Sequence, residues 1–124
     1  METTVTLQDC AIPGMDFRDT GFGYTLSLIG GKYRMIVIYS IAQHGNVMRF
    51  NELHRFMGNV SFTALSNALK ELEASGLVKR TEYPQIPPKV EYSLTEKGLS
   101  LIPLMEQLCK WGQRNRPQAS ASPE

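Results

Sequence analysis

Thr63, Ser66, Asn67 and Lys70 are small, hydrogen-bonding or cationic side chains spaced three or four residues apart. At about 100° per residue they gather on one side of a helix, opposite an arc of Phe62, Leu65, Ala68, Leu69 and Leu72. That face offers a carboxamide, two hydroxyls and an ammonium. Such groups recognise polar edges and anions; they do not by themselves break bonds. The rest of the chain gives an enzyme little to work with. His44 and His54 are its two histidines and Cys10 and Cys109 its two cysteines, with no HxxxH, CxxC or Cys/His cluster at metal-ligand spacing. Gly21-Phe22-Gly23 lacks the preceding strand that a phosphate loop needs, and no GxSxG element occurs. No catalytic, metal or cofactor site is therefore assigned.

The elements around that face give it a purpose. Ser61 suits an N-cap, its hydroxyl accepting from a free amide of the first turn, although no Glu or Gln follows three residues later to complete a capping box. Gly76 suits the C′ position, where positive φ ends a helix. Leu77 to Tyr83 is short and partly β-branched, and Val90, Tyr92 and Leu94 alternate with Glu91, Ser93 and Thr95 in the period-2 pattern of a half-buried strand. Between them Pro84, Pro87 and Pro88 fix φ and remove backbone donors, which predicts a stiff turn carrying positive charge from Lys79, Arg80 and Lys89. Upstream, Phe50, Leu53, Phe56 and Met57 line one side of a two-turn helix that Gly58-Asn59-Val60 joins to Ser61. Helix, short turn, helix and hairpin make a winged helix-turn-helix, whose second helix carries its N-terminal side chains to base edges in the major groove.

The flanking segments read as scaffold. Phe22 to Ile29 is a short helix ended by Gly30-Gly31. Lys32 to Gln43 is a second, with Tyr33, Ile36, Val37 and Ile41 at helical spacing. A terminal helix is expected from an N-cap at Thr95, with an apolar face of Leu101, Leu104, Met105, Leu108 and Trp111, a kink at Pro103, and Cys109 as a small core residue. From Arg114 the chain turns polar and small, and disorder is expected. The organisation is thus an N-terminal arm over 1–20, its mobility left open, a winged helix-turn-helix domain with terminal dimerisation helices over 21–113, and a tail over 114–124. The fold class is α+β, mainly helical.

Several ordered blocks resemble the HxlR-type family of bacterial transcriptional regulators: Leu28-Ile29-Gly30-Gly31-Lys32, Arg49-Phe50-Asn51-Glu52-Leu53, Leu65 to Glu73, Gly76-Leu77-Val78, and Tyr83-Pro84 through Pro87-Pro88 to Thr95. The resemblance runs from about Tyr24 to Gly112. It implies a MarR-like homodimer, joined through its first and last helices, that binds a near-palindromic operator on double-stranded DNA, often beside a gene it regulates. Helix angle and resemblance together name Asn67 and Ser66 for base edges, and Lys70, Thr63, Ser61 and Arg49 for phosphates. They place Lys89 and Gln85 on the wing, near the minor groove or backbone. The family also implies a signal, an oxidant, an electrophile or another small molecule, sensed in redox-responsive members by a cysteine about ten residues before the paired glycines. Here that place falls near Thr20. Cys10 is the displaced candidate, and its acidic neighbours Asp9, Asp16 and Asp19 would raise a thiol's pKa.

Charge supports this reading through its distribution. The 124 residues carry a formal net charge of +1, below the basic signature of a strong nucleic-acid binder. Residues 1–31 hold a net −3, residues 32–98 a net +3 and residues 99–124 a net +1, so the excess sits on the reading module. The first ten residues lack the basic and apolar regions of a signal peptide, and no apolar run is long enough to span a membrane, so a cytoplasmic location is expected. The competing class is a redox- or ligand-sensing winged-helix protein used for signal-dependent protein contact. Apolar or acidic residues on the outward face of the second motif helix would mark it, and Thr63, Ser66, Asn67 and Lys70 argue against it.

Overall fold

The computed structural model describes residues 6–7 and 14–117. After a single 3-10 turn at Phe17–Asp19 come helices α1 (Gly21–Ile29) and α2 (Arg34–Gln43), strand β1 (Val47–Met48), and helices α3 (Phe50–Met57) and α4 (Phe62–Ala74). Strands β2 (Val78–Tyr83) and β3 (Lys89–Leu94) and helices α5 (Glu96–Leu99) and α6 (Ile102–Asn115) complete the order. The sheet is antiparallel in the order β1-β3-β2, with Val47 opposite Ser93 and Arg80 opposite Tyr92.

One core locks α4 to the sheet. Val37, Ile38 and Ile41 of α2, Leu53 of α3, and Leu65, Leu69 and Leu72 of α4 are buried together with Leu77, Val78 and Leu94. Each such side chain contributes roughly 1.5–3 kcal/mol by leaving water. Arg34 adds a polar tie: its Nε donates to Glu71 Oε1 of α4 at 3.0 Å and its NH1 to the Ser27 carbonyl of α1 at 2.8 Å.

Helix ends follow the side chains that close them. Ser61 Oγ accepts from the Ala64 N–H at 3.0 Å. At the other end of α4, Gly76 takes φ +82. Its N–H bonds to Glu73 O at 3.1 Å and that of Leu77 to Leu72 O at 2.9 Å, the paired pattern of a Schellman stop. That second bond ties Leu77 to the helix, so β2 starts at Val78, one residue later than its composition suggested. Lys97 Nζ reaches the Ser75 carbonyl at 3.0 Å, a cation at the negative end of α4, and also the Tyr24 hydroxyl at 3.0 Å.

Four expectations need correction. Phe62 does not join the apolar arc: as the first residue of α4 it projects past the core and is 60% exposed. Pro103 does not kink a helix. It stands in the first turn of α6, where its missing N–H has no intrahelical partner to lose, and the terminal segment is two helices with Thr95 capping only the first. Cys109 is exposed, because no residue of α6 is buried. Arg114 and Asn115 are helical rather than part of a tail. Cys10, residues 118–124 and most of the expected arm lie outside the described residues.

Candidate nucleic-acid interface

Two short turns aim α4. The Glu52 carboxylate accepts from the backbone N–H of Arg49 at 2.8 Å, which closes the start of α3. Gly58, at φ +78, donates to His54 O at 3.0 Å and sends the chain out of α3, and buried Val60 anchors the turn before Ser61 caps α4.

The polar row expected from helix angle stands outward. Thr63, Asn67 and Lys70 are exposed at i, i+4 and i+7, and Ser61 and Arg49 are exposed beside them. Ser66 is half-buried and turns toward the wing, lining with Lys70, Glu73, Arg80 and Tyr92 a cleft of about 400 Å³ between α4 and the hairpin. The Ser61 hydroxyl oxygen is engaged in capping, which leaves its O–H to donate outward.

The wing is stiffened from both strands. The Tyr83 hydroxyl donates to Glu91 Oε1 at 3.1 Å, and Lys89 Nζ pairs with Glu91 Oε2 at 3.3 Å while lying 5.0 Å over the Tyr83 ring. Lys89 is therefore already committed to Glu91 and would have to exchange it for a phosphate. Gln85 is exposed at the tip, its N–H closing the turn on Tyr83 O at 2.9 Å. Arg80 is a cation that the site assignment left out. It faces the cleft opposite Tyr92, and hydrogen bonding to Tyr92, with a smaller contribution from Glu82, raises its pKa above the ordinary guanidinium value. Alternation within β2 orients Arg80, but its place opposite Tyr92 follows only from the register of β2 against β3.

Exposed apolar side chains gather on other helices. Leu104, Leu108 and Trp111 of α6 are exposed, as are Phe22, Tyr24 and Leu26 of α1 and Ile36 and Tyr39 of α2. Cys109 lies among them, on a groove with Met35, Ile36, Tyr39, Met105 and Leu108. Thr20, near the place of the family's cysteine, caps α1 by accepting from the Gly23 N–H at 3.0 Å. Among the described residues no group of three His, Cys, Asp or Glu side chains could hold a metal ion, and no helix is long and apolar enough to cross a membrane.

The sequence and the fold recur in known proteins. An HTH-type transcriptional regulator of Halalkalibacterium halodurans is 57% identical over 101 residues, covering 82% of this chain and 88% of its own. The redox regulator HypR in its reduced form superposes with a TM-score of 0.73 at 43% identity, over 78% of this chain and 94% of that one. Quinone-bound YodB of B. subtilis gives a TM-score of 0.64 at 27% identity, over 75% and 96%. Residues 28–120, which span the helix-turn-helix, the wing and α6, match the HxlR-like helix-turn-helix family. The family match, the curated relatives and the shared fold thus show that this chain belongs to the HxlR-like family and is a DNA-binding, helix-turn-helix transcriptional regulator.

Proposed function

We propose that the chain represses transcription as a homodimer on a near-palindromic operator. The observation that carries this reading is the division of its exposed surface. α4 exposes the polar row Thr63, Asn67 and Lys70, while α1 and α6 expose large apolar side chains that their own chain leaves uncovered. Pairing two chains through α1 and α6 buries the second surface and presents two copies of α4 to major grooves about one helical turn apart. Asn67 and Ser66 then bond base edges, while Lys70, Thr63, Ser61 and Arg49 meet phosphates and Gln85 and Lys89 approach the backbone from the wing. Arg80 joins the phosphate set, since it lines the same cleft as Ser66 and Lys70.

The test is a gel shift with DNA flanking the chain's own gene at several salt concentrations, with complex mass measured in parallel and transcription from the shifted promoter assayed. A specific shift of two chains per duplex with reduced transcription is expected. No specific shift at low salt would sink the operator reading, and a rise in transcription would reverse the sign of regulation.

Release of DNA by an oxidant is a second reading, favoured by the likeness to HypR, solved in oxidised and reduced forms, and to YodB, solved with quinone bound. A shift lost on adding diamide in wild type but kept in Cys10→Ser or Cys109→Ser would assign the thiol.

A further inference from the structure

Phe62 is the one large apolar side chain among the outward residues of the first two turns of α4, and nothing in the core explains it. It is the residue after the N-cap, at 60% exposure, next to exposed Ser61 and Thr63. Its ring is nevertheless fixed. His54 of α3 stacks on it with centroids 4.2 Å apart and planes at 28°, and Phe50 lies at 5.9 Å and 32°. A ring held on one side by two others and open on the other loses little conformational freedom when a flat or methyl-bearing partner covers it.

The surroundings state the kind of partner. Ser66 lies one turn further along the same edge of α4, and Arg49 at the cap of α3, Arg55 on α3 and Lys70 on α4 stand exposed. On α4 the only exposed large apolar side chain among the described residues is Phe62; α3 also exposes Phe56, but that ring packs edge-on against His44 instead. A protein-docking surface would extend the apolar area around Phe62, whereas its neighbours on α4 are polar and cationic, as suits a polyanion. On the floor of the major groove the exposed apolar group is the C5-methyl of thymine, which projects from the base edge where an N-terminal helix residue arrives.

We infer that Phe62, backed by His54 and Phe50, reads a thymine methyl group in each half-site and is a specificity-determining residue. The inference rests on the reading that α4 enters the major groove. Phe62 and Ser66 then form one recognition row, apolar first and hydrogen-bonding second, alongside the Thr63, Asn67 and Lys70 row.

The test begins by selecting duplexes from a random library with the full chain. Each thymine of the selected site is then replaced in turn by uracil, which removes only the methyl group. Wild type should lose about three- to fivefold in affinity at one thymine per half-site, the worth of one buried carbon. Phe62→Ala should bind the thymine duplex that much more weakly and be indifferent to uracil there, whereas Phe62→Leu should keep part of the dependence. Uracil tolerated at every position by wild type, or a uracil penalty unchanged in Phe62→Ala, overturns the inference while leaving DNA recognition by α4 intact. Failure to enrich any sequence overturns the major-groove reading and this inference with it.

Discussion

The carboxamide oxygen of Asn46 accepts a hydrogen bond from the Leu94 N–H at 3.0 Å, joining residues 48 apart in sequence. The link ties the bend before β1 to the end of β3, and so fixes how the wing leaves the core. Asn46 holds φ +72, a conformation asparagine tolerates better than most residues because its short side chain can bond locally.

Two separable losses follow from removing it. Asn46→Ala leaves the Leu94 N–H unpaired and places an alanine at positive φ, and it should destabilise the fold by about 2–3 kcal/mol. Asn46→Gly keeps the backbone conformation and loses only the bond, so it should cost about 1 kcal/mol less than the alanine variant. Urea unfolding followed by circular dichroism resolves the difference. Equal stability of the Asn46→Ala variant and wild type would remove the strut from the account.

Gly98 provides a contrast between two helical glycines. A Cβ at Gly98 would collide with the Leu77 carbonyl and press on Leu94, because α5 packs directly on the residue before β2 and on the end of β3. Gly112 in α6 meets nothing within 4 Å. Gly98→Ala should therefore cost about 2 kcal/mol or more through overpacking despite alanine's better propensity. Gly112→Ala should stabilise α6 by about 0.5–1 kcal/mol. Thermal melts of the two variants should move in opposite directions, and a common direction would contradict the packing described for α5.

These contacts also show where the sequence was legible. Ser61, Gly76 and the apolar positions of α4 carry their own local signals, so the reading helix and the hairpin were placed within a residue or two. β1 was not foreseen, since two residues make no period and Val47-Met48 becomes a strand only by pairing with Ser93 and Tyr92. Pro103 was misjudged because a proline can break a helix or begin one, and the break at Ser100–Leu101 is decided by packing of α5. Phe62 and Cys109 look like core residues by type. Their exposure depends on where each helix ends or leaves the core, which periodicity does not encode. Arg80 became visible as a member of the cleft only once β2 was registered against β3.

The outward row of α4 divides by chemistry. Asn67→Ala should lose roughly 1–3 kcal/mol on the preferred site and relax the preference at one position, because a bidentate partner distinguishes bases. Lys70→Ala should weaken binding to all duplexes alike and lower the slope of log affinity against log salt by about one. Titrations on specific and scrambled DNA at three salt concentrations separate the two effects. If both variants bind like wild type, the face has been misassigned.

The apolar face of α6 yields the last prediction. Trp111 is 63% exposed, Leu108 51% and Leu104 41%, one turn apart along the helix, and covering what remains of each would gain roughly 1 kcal/mol, about half the value for full burial. Placing a carboxylate in such a contact removes that gain and adds the cost of desolvating a charge. On the proposed pairing, wild type should sediment as a dimer, and Leu108→Glu and Trp111→Glu should sediment as monomers at the same concentration. Their circular dichroism should stay unchanged, because neither side chain supports the core of its own chain. Each monomer retains α4 and the wing intact, so it should still bind a half-site weakly while losing the tight complex with the full operator. A glutamate variant that remains dimeric would move the dimer contact off α6 and leave the exposed apolar row without its partner.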